Sequence, residues 1–224
     1  IVQSILNQVY KNGDIYQDEY EGWYSISEER FITEKEVESG LFGQVKKIKE
    51  KNYFFKMSKY QSALIEKIES DELSIQPKSR KNEVLGFLKN DLSDLCISRP
   101  KSRLEWGIEI PFDKDYVTYV WFDALINYIS APKYLEDNKV FDLHWPADVH
   151  LIGKDILTTH SVYWPTMLMA LNLPLPKAIF AHGWWLTDDK KMSKSLGNVV
   201  NPLMLIDEFG VDAVRYYLMS EMVL

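Results

Sequence analysis

Residues 149–186 read VHLIGKDILTTHSVYWPTMLMALNLPLPKAIFAHGWWL. The run opens on a short apolar strand pattern that ends at Gly153 and passes into a helical stretch, KDILTTHSVYW. It closes on a second apolar strand pattern, AIFAHGWWL. Two apolar strands joined by a helical run predict a βαβ unit with a parallel sheet. In such sheets ligands gather beyond the carboxyl ends of the strands. Gly153-Lys154-Asp155 follows one strand and His182-Gly183-Trp184 follows the other, so both fall near that edge.

Immediately downstream, TDDKKMSKSLGN at 187–198 places Lys190, Lys191 and Lys194 in a short polar loop of an otherwise acidic chain. Most charge runs are solvated surface. The sharper alternative is a mobile clamp for a polyphosphate. Lysine is a flexible point charge with three donors, which suits a phosphate chain that moves during reaction. Ser193 and Ser195 add donors, and the glycine frame of a Walker loop is absent. Positive charge placed where a leaving pyrophosphate gathers charge stabilises the transition state more than the ground state. The chemistry implied is nucleotidyl transfer.

Upstream, EWGIEIPF and VTYVWF bracket Asp113-Lys114-Asp115, a strand–turn–strand signature. Trp121, Ala124, Leu125 and Tyr128 then recur at i, i+3, i+4 and i+7, one face of a helix. Such a face is ordinarily core. It also suits an aromatic-walled pocket for a thioether, with Ala124 leaving room. Asp155, where strand gives way to helix, is an expected N-cap or a carboxylate for a substrate ammonium. His160 lies one turn before Trp164 and reads as a core histidine or a pocket wall.

Farther out, IVQSILNQVYKNGDIY is an amphipathic helix with Val2, Ile5, Leu6 and Val9 on one face, stopped near Gly13. Residues 20–98 look like a small α+β insertion, with strands at GWYSI and NYFF. Its helices are SKYQSALIEKIES, with Ser58 as N-cap, and KSRKNEVLGFLKND after Pro77. Val211, Val214 and Leu218 form a last apolar stripe. With no initial Met and helical patterns at both ends, the chain reads as an excerpt.

The 224 residues carry a net charge of −7, with 46% hydrophobic and 26% charged residues. That is ordinary for a globular protein with a core, and argues against coating nucleic acid by bulk charge, though not against a local basic patch. Cys96 is the single cysteine, so no intramolecular disulfide and no cysteine-based zinc knuckle can form. His144, His150, His160 and His182 lack metal-site spacing, so no metal ligands are assigned. The apolar stretch YWPTMLMALNLPLP is interrupted by Pro165, Pro174 and Pro176 and makes no membrane span. A cytoplasmic setting fits, as does an organelle matrix.

Lys191-Met192-Ser193-Lys194-Ser195 after a strand ending His-Gly-Trp-Trp resembles the second signature of the class I aminoacyl-tRNA synthetases. YEGWYSISEE, ISRPKSRLEWGI, YVWFDALINY, HLIGKDI, KMSKSLGNVVNP and FGVDAVRYYL occur in the order expected of their methionyl-tRNA synthetase family, across nearly the whole chain. The resemblance implies an α/β fold: the C-terminal half of a class I Rossmann-type parallel-sheet catalytic domain with a small α+β connective domain inserted. It divides the chain into 1–19, the end of the first Rossmann half; 20–98, a zinc-free connective insertion; 99–200, the second Rossmann half; and 201–224, the start of a helical stem-contact region.

The implied activity is methionine–tRNA ligation: methionine and ATP give methionyl-adenylate and pyrophosphate, and the methionyl group passes to tRNA(Met). ATP would bring Mg²⁺. Carried over by position, Trp121, Ala124, Leu125, Tyr128, Ile156 and His160 would line the methionine pocket, and Asp155 would bind its α-amino group. Gly153, Lys154, His182, Gly183 and Trp184 would approach ATP, with Lys191 and Lys194 on its phosphates and Arg99 near the activation site. Leu125 stands where some members have proline. The His-Ile-Gly-His signature and the anticodon-binding domain are absent, so the excerpt alone is expected to be inactive. Two alternatives remain: a non-catalytic RNA-binding or scaffold fragment, and a synthetase for another aliphatic amino acid. The latter usually carry an editing insertion larger than 20–98. Oligomeric state is open.

Overall fold

The computed structural model describes residues 1–25, 30–32, 37–38, 44–187, 190–192 and 197–221. Helix α1 (Val2–Lys11) precedes strands β1 (Ile15–Ser25), β2 (Arg30–Ile32) and β3 (Val45–Phe55). Helix α2 (Gln61–Glu69), strand β4 (Ser74–Gln76) and helix α3 (Lys78–Phe87) come next. Short strands β5 (Leu95–Cys96), β6 (Ser98–Pro100) and β7 (Glu109–Ile110) lead to β8 (Asp113–Thr118). Helices α4 (Val120–Ala124), α5 (Asn127–Ser130) and α6 (Asn138–His144) follow. Strand β9 (Val149–Gly153) runs through a 3₁₀ turn and a π-helical turn (Thr159–Tyr163) into α7 (Trp164–Ala170). Then come β10 (Ala178–His182), β11 (Leu186–Thr187), β12 (Lys190–Lys191), α8 (Pro202–Phe209) and α9 (Val211–Ser220).

Two compact units result. The first comprises Ile1–Tyr60, Leu92–Trp145 and Met167–Leu173; the second comprises Gln61–Asp91, Pro146–Thr166 and Pro174–Leu224.

In the first unit, β1 and β3 pair antiparallel from Ile15↔Phe55 to Ser25↔Val45, within a sheet ordered β2-β1-β3-β5. The outer part of this ribbon carries ion pairs Lys49–Glu19 and Lys47–Glu21 across the strands. Such exposed pairs contribute at most about 1 kcal/mol each. The inner part is apolar, and Phe55 is fully buried with Ile5 and Leu6 of α1. Gly13, at φ +77°, ends α1 as its sequence predicts. Next to it Asp14 is buried, its carboxylate held by Lys59 Nζ at 2.5 Å and by the Tyr60 hydroxyl at 2.7 Å.

Two local expectations fail in this unit. Ser58 does not cap α2; its hydroxyl and backbone N–H both donate to Asp94, 36 residues away. Asp113-Lys114-Asp115 is not the turn. It lies in β8, which pairs with β7 through Ile110↔Asp113, so Pro111 and Phe112 make the reversal. Proline at that reversal is the better turn signal.

The second unit contains the parallel sheet, ordered β4-β10-β9. Strands β9 and β10 pair in register from Val149↔Ala178 to Gly153↔His182, with the helical segment between them in sequence. This is the βαβ unit that the apolar runs predict. Ile179 and Ala181 of the central strand β10 are fully buried. On β9 burial alternates: His150 and Ile152 are buried while Val149 and Leu151 are exposed. Strand β4 joins β10 on the other side, in parallel, at Ile75↔Ile179. The segment 61–91, grouped by composition with 20–98, thus supplies a strand of this parallel sheet.

Candidate functional site

The carboxyl edge of the parallel sheet brings six of the predicted residues together. Gly153 and His182 are paired at the ends of β9 and β10. Gly153 has an ordinary φ of −78° and caps the 3₁₀ turn Lys154–Ile156. Asp155 is therefore inside the first turn and is not the N-cap, which corrects one of its two sequence readings. The reason for glycine is space. A Cβ on Gly153 would sit 2.6 Å from Asp155 Oδ1 and 3.7 Å from His182 Cε1. The Asp155 carboxylate thus lies folded against the strand end, solvent-exposed, with no hydrogen-bond or ion-pair partner among the described residues.

Around it, the Lys154 ammonium lies 5.7 Å from the centre of the Trp184 ring. Such a contact favours a cation near the ring face. His182 Nδ1 lies 2.7 Å from the Gly183 carbonyl oxygen; a carbonyl only accepts, so this nitrogen carries the proton. The His182 ring also meets Trp185, and Trp185 meets Tyr217 of α9. The edge therefore offers an exposed carboxylate, a lysine on an aromatic face and a half-buried imidazole.

One turn on, His160 is 4% exposed. Its Nδ1–H donates to the Ile156 carbonyl at 2.9 Å, and burial holds its pKa below the ordinary imidazole value. Its ring stands edge-on to His150, with centroids 6.3 Å apart. His150 Nε2 accepts the indole N–H of the fully buried Trp164 at 3.2 Å. Burial, and less strongly His160, push His150 down to about 4. The His150–Trp164 pair is absent from the sequence-based site. The available signal was a histidine on an inward position of a parallel strand, where aliphatic residues are the rule.

The other predicted pocket residues belong to the first unit. The expected single helix through Trp121–Tyr128 is instead two short ones, α4 and α5, joined by tighter turns: Ile126 N–H bonds to Asp123 and Tyr128 N–H to Leu125. Leu125 is buried with Phe122, Ile126 and Ile129, while Trp121, Ala124 and Tyr128 are only half-buried. The predicted face thus divides into a core residue and three accessible ones.

Arg99, on β6, is 5% exposed. Its guanidinium lies 3.8 Å from the Tyr119 ring centre and donates to the Ser98 carbonyl at 2.8 Å and to Cys96 Sγ at 3.2 Å. Burial pushes the Cys96 thiol up, with Arg99 opposing.

The lysine loop begins as a hairpin: β11 and β12 pair antiparallel through Leu186↔Lys191 and Thr187↔Lys190. The Lys191 side chain, and Ser193, Lys194 and Ser195 entirely, lie outside the described residues. Among the described residues no group of three His, Cys, Asp or Glu could hold a metal ion, and no helix is long and apolar enough to cross a membrane.

Residues 38–224 match the family model described as tRNA synthetases class I (M). The chain is 56% identical over 226 residues to the methionine–tRNA ligase of Clostridium acetobutylicum, covering 98% of this chain and 35% of that protein. Against the methionine–tRNA ligase of Bacillus subtilis the identity is 47%, over 99% of this chain and 36% of that protein. Among solved structures, the Mycobacterium tuberculosis methionyl-tRNA synthetase in complex with methionyl-adenylate aligns with a TM-score of 0.86 at 41% identity, covering 97% of this chain and 44% of that one. The chain thus spans about a third of the length of the curated relatives it matches.

Proposed function

This chain belongs to the class I (M) tRNA synthetases, and on that premise we propose that the protein carrying it is a methionine–tRNA ligase. It activates methionine with ATP to methionyl-adenylate, releases pyrophosphate, and passes the methionyl group to tRNA(Met). The observation that carries this reading is the Asp155 carboxylate at the carboxyl edge of the parallel sheet, folded against Gly153. An exposed carboxylate held there is a binding group for the α-ammonium of an amino acid, since ionised donors and acceptors form short, strong hydrogen bonds.

The remaining roles are carried over by position from the family resemblance. Trp121, Ala124, Leu125 and Tyr128 of the first unit, and Ile156 and His160 of the second, are each assigned to methionine by their place in the family's motifs; aromatic edges favour a thioether. Gly153, Lys154, His182, Gly183 and Trp184 bind ATP. Lys191 and Lys194 neutralise its phosphates, Lys194 most strongly as pyrophosphate departs. Magnesium is assigned no ligand among the described residues and belongs with the ATP substrate. Of the 20–98 stretch we read 20–60 and 92–98 as the connective insertion, since 61–91 carries strand β4 of the parallel sheet, and 201–224 as the start of the stem-contact region. A cytosolic setting fits a tRNA substrate.

The test is ATP–pyrophosphate exchange by the full-length protein. Methionine should drive it, and leucine, isoleucine and valine should not. Exchange driven by leucine or valine without methionine would make the pocket assignment wrong.

A further inference from the structure

The helical segment after β9 breaks its own ladder. Trp164 N–H donates to the carbonyl of Thr159, five residues back, where an α-helix would give it that of His160. This closes the π-helical turn Thr159–Tyr163, which carries one residue more than the α-helical path. The sequence supplies the cause at 165. Proline has no N–H, and in a continuous α-helix its ring would collide with the carbonyl four residues back, that of Ser161. An extra residue ahead of the ring moves that carbonyl aside. Pro165 then falls in the first turn of α7, where a missing N–H is tolerated.

Thr166 completes the arrangement. It is fully buried, and its hydroxyl donates toward the Val162 carbonyl at 2.9 Å and the Tyr163 carbonyl at 2.8 Å. Both carbonyls belong to the turn, which this local bond holds in its bent form. Stability alone does not explain the geometry. The Ser161 hydroxyl inside the turn is fully buried with no hydrogen-bond partner among the described residues, where an alanine would bury at no polar cost. Local conflicts of this kind gather where geometry serves function.

What the turn places is His160, its second residue, whose ring is tied to the Ile156 carbonyl at 2.9 Å. One residue corresponds to about 100° of helix rotation. The extra residue therefore decides where the His160 ring stands relative to Trp164 and Thr166, both fully buried. We infer that Pro165 and Thr166 are positioning residues: together they hold the π-helical turn, and the turn sets where the His160 ring meets the amino-acid substrate. This rests on the assignment of His160 to methionine. Neither positioning residue touches a substrate, and their effect falls on methionine and leaves ATP binding alone.

Three substitutions in the full-length protein test it, with methionine KM and ATP KM read in pyrophosphate exchange. Thr166→Val keeps the shape and removes the hydroxyl. Thr166→Ser keeps the hydroxyl. Pro165→Ala restores an N–H at 165. Thr166→Val should raise methionine KM roughly tenfold, the scale of one buried hydrogen bond lost, with ATP KM unchanged, and Thr166→Ser should stay near wild type. Pro165→Ala should also raise methionine KM, and its crystal structure should show Trp164 N–H moved to the His160 carbonyl. Wild-type methionine KM in Thr166→Val would overturn the inference. So would methionine and ATP KM rising together, or Thr166→Ser faring no better than Thr166→Val. Should Thr166→Val fail to fold, Pro165→Ala decides: a wild-type methionine KM or an intact Trp164–Thr159 bond overturns it. If methionine fails to drive exchange in the wild type, the functional reading falls, while the Trp164–Thr159 bond in Pro165→Ala still decides whether the proline holds the turn.

Discussion

The Asp155 carboxylate oxygen lies 2.6 Å from the point a Cβ on Gly153 would occupy. Since Gly153 has φ −78°, any residue could adopt its backbone. A Cβ there would displace only the tip of the flexible Asp155 side chain, and this separates an effect on the site from an effect on folding.

Gly153→Ala should therefore leave the unfolding midpoint close to wild type, because Asp155 is exposed and can rotate away. Methionine KM should rise on the order of tenfold or more, the scale of one charged hydrogen bond. Steady-state exchange kinetics beside urea denaturation check it. A large loss of stability with unchanged methionine KM would show that Gly153 serves the fold alone.

Lys194→Ala should depress adenylate formation strongly, roughly a hundredfold, as loss of one transition-state charge contact does. Methionine affinity, read by equilibrium dialysis, should stay near wild type. An equal loss in both would indicate damage to folding and remove Lys194 from the chemistry.

Acid should weaken the second unit through its buried imidazoles. His150 drops from 6.5 to about 4 on folding, and His160 is also lowered. A lowered histidine binds fewer protons folded than unfolded, so its full contribution is present above pH 6.5 and is lost as pH falls from there toward about 4. For His150 alone the loss reaches about 3 kcal/mol at most. Carboxylates titrate in the same range, so the comparison is with His150→Gln. Between pH 7.5 and 4.5, urea denaturation should find the wild type losing about 2 kcal/mol more than the variant. Equal losses would mean His150 titrates normally.

Arg99 has an activity expectation from resemblance and a packing role from geometry. With its guanidinium against Tyr119 and bonded to Ser98, Arg99→Leu should cost about 2 kcal/mol of stability. Exchange should fall only with the folded fraction. An unchanged urea midpoint with abolished exchange would put the guanidinium at the reaction instead.

The sequence reveals elements in proportion to their length and contrast. Strands β9 and β10 are apolar runs flanking a helical one, and the parallel sheet was legible from them. Strand β4 has three residues, Ser74–Gln76, too few to carry a period, and its partner β10 lies about a hundred residues on. The segment 120–130 is apolar on every side of a helix, with only Asp123, Asn127 and Ser130 polar, so spacing could not separate the buried Leu125 from the half-buried Trp121 and Tyr128. Ser58 looked like a cap because capping is local, whereas its actual partner Asp94 is brought in by the fold. At the site, residue types and order were readable, but the contact of Asp155 with Gly153 and the Trp164–His150–His160 array exist only in three dimensions.

The central claim is that this chain forms part of a methionine-activating site. It is tested most directly by ATP–pyrophosphate exchange with the full-length protein, supplying methionine, leucine, isoleucine and valine one at a time. Methionine should be preferred by at least about a hundredfold in kcat/KM, the discrimination one shaped apolar pocket can supply. Equal or better exchange with another of the four would contradict the account.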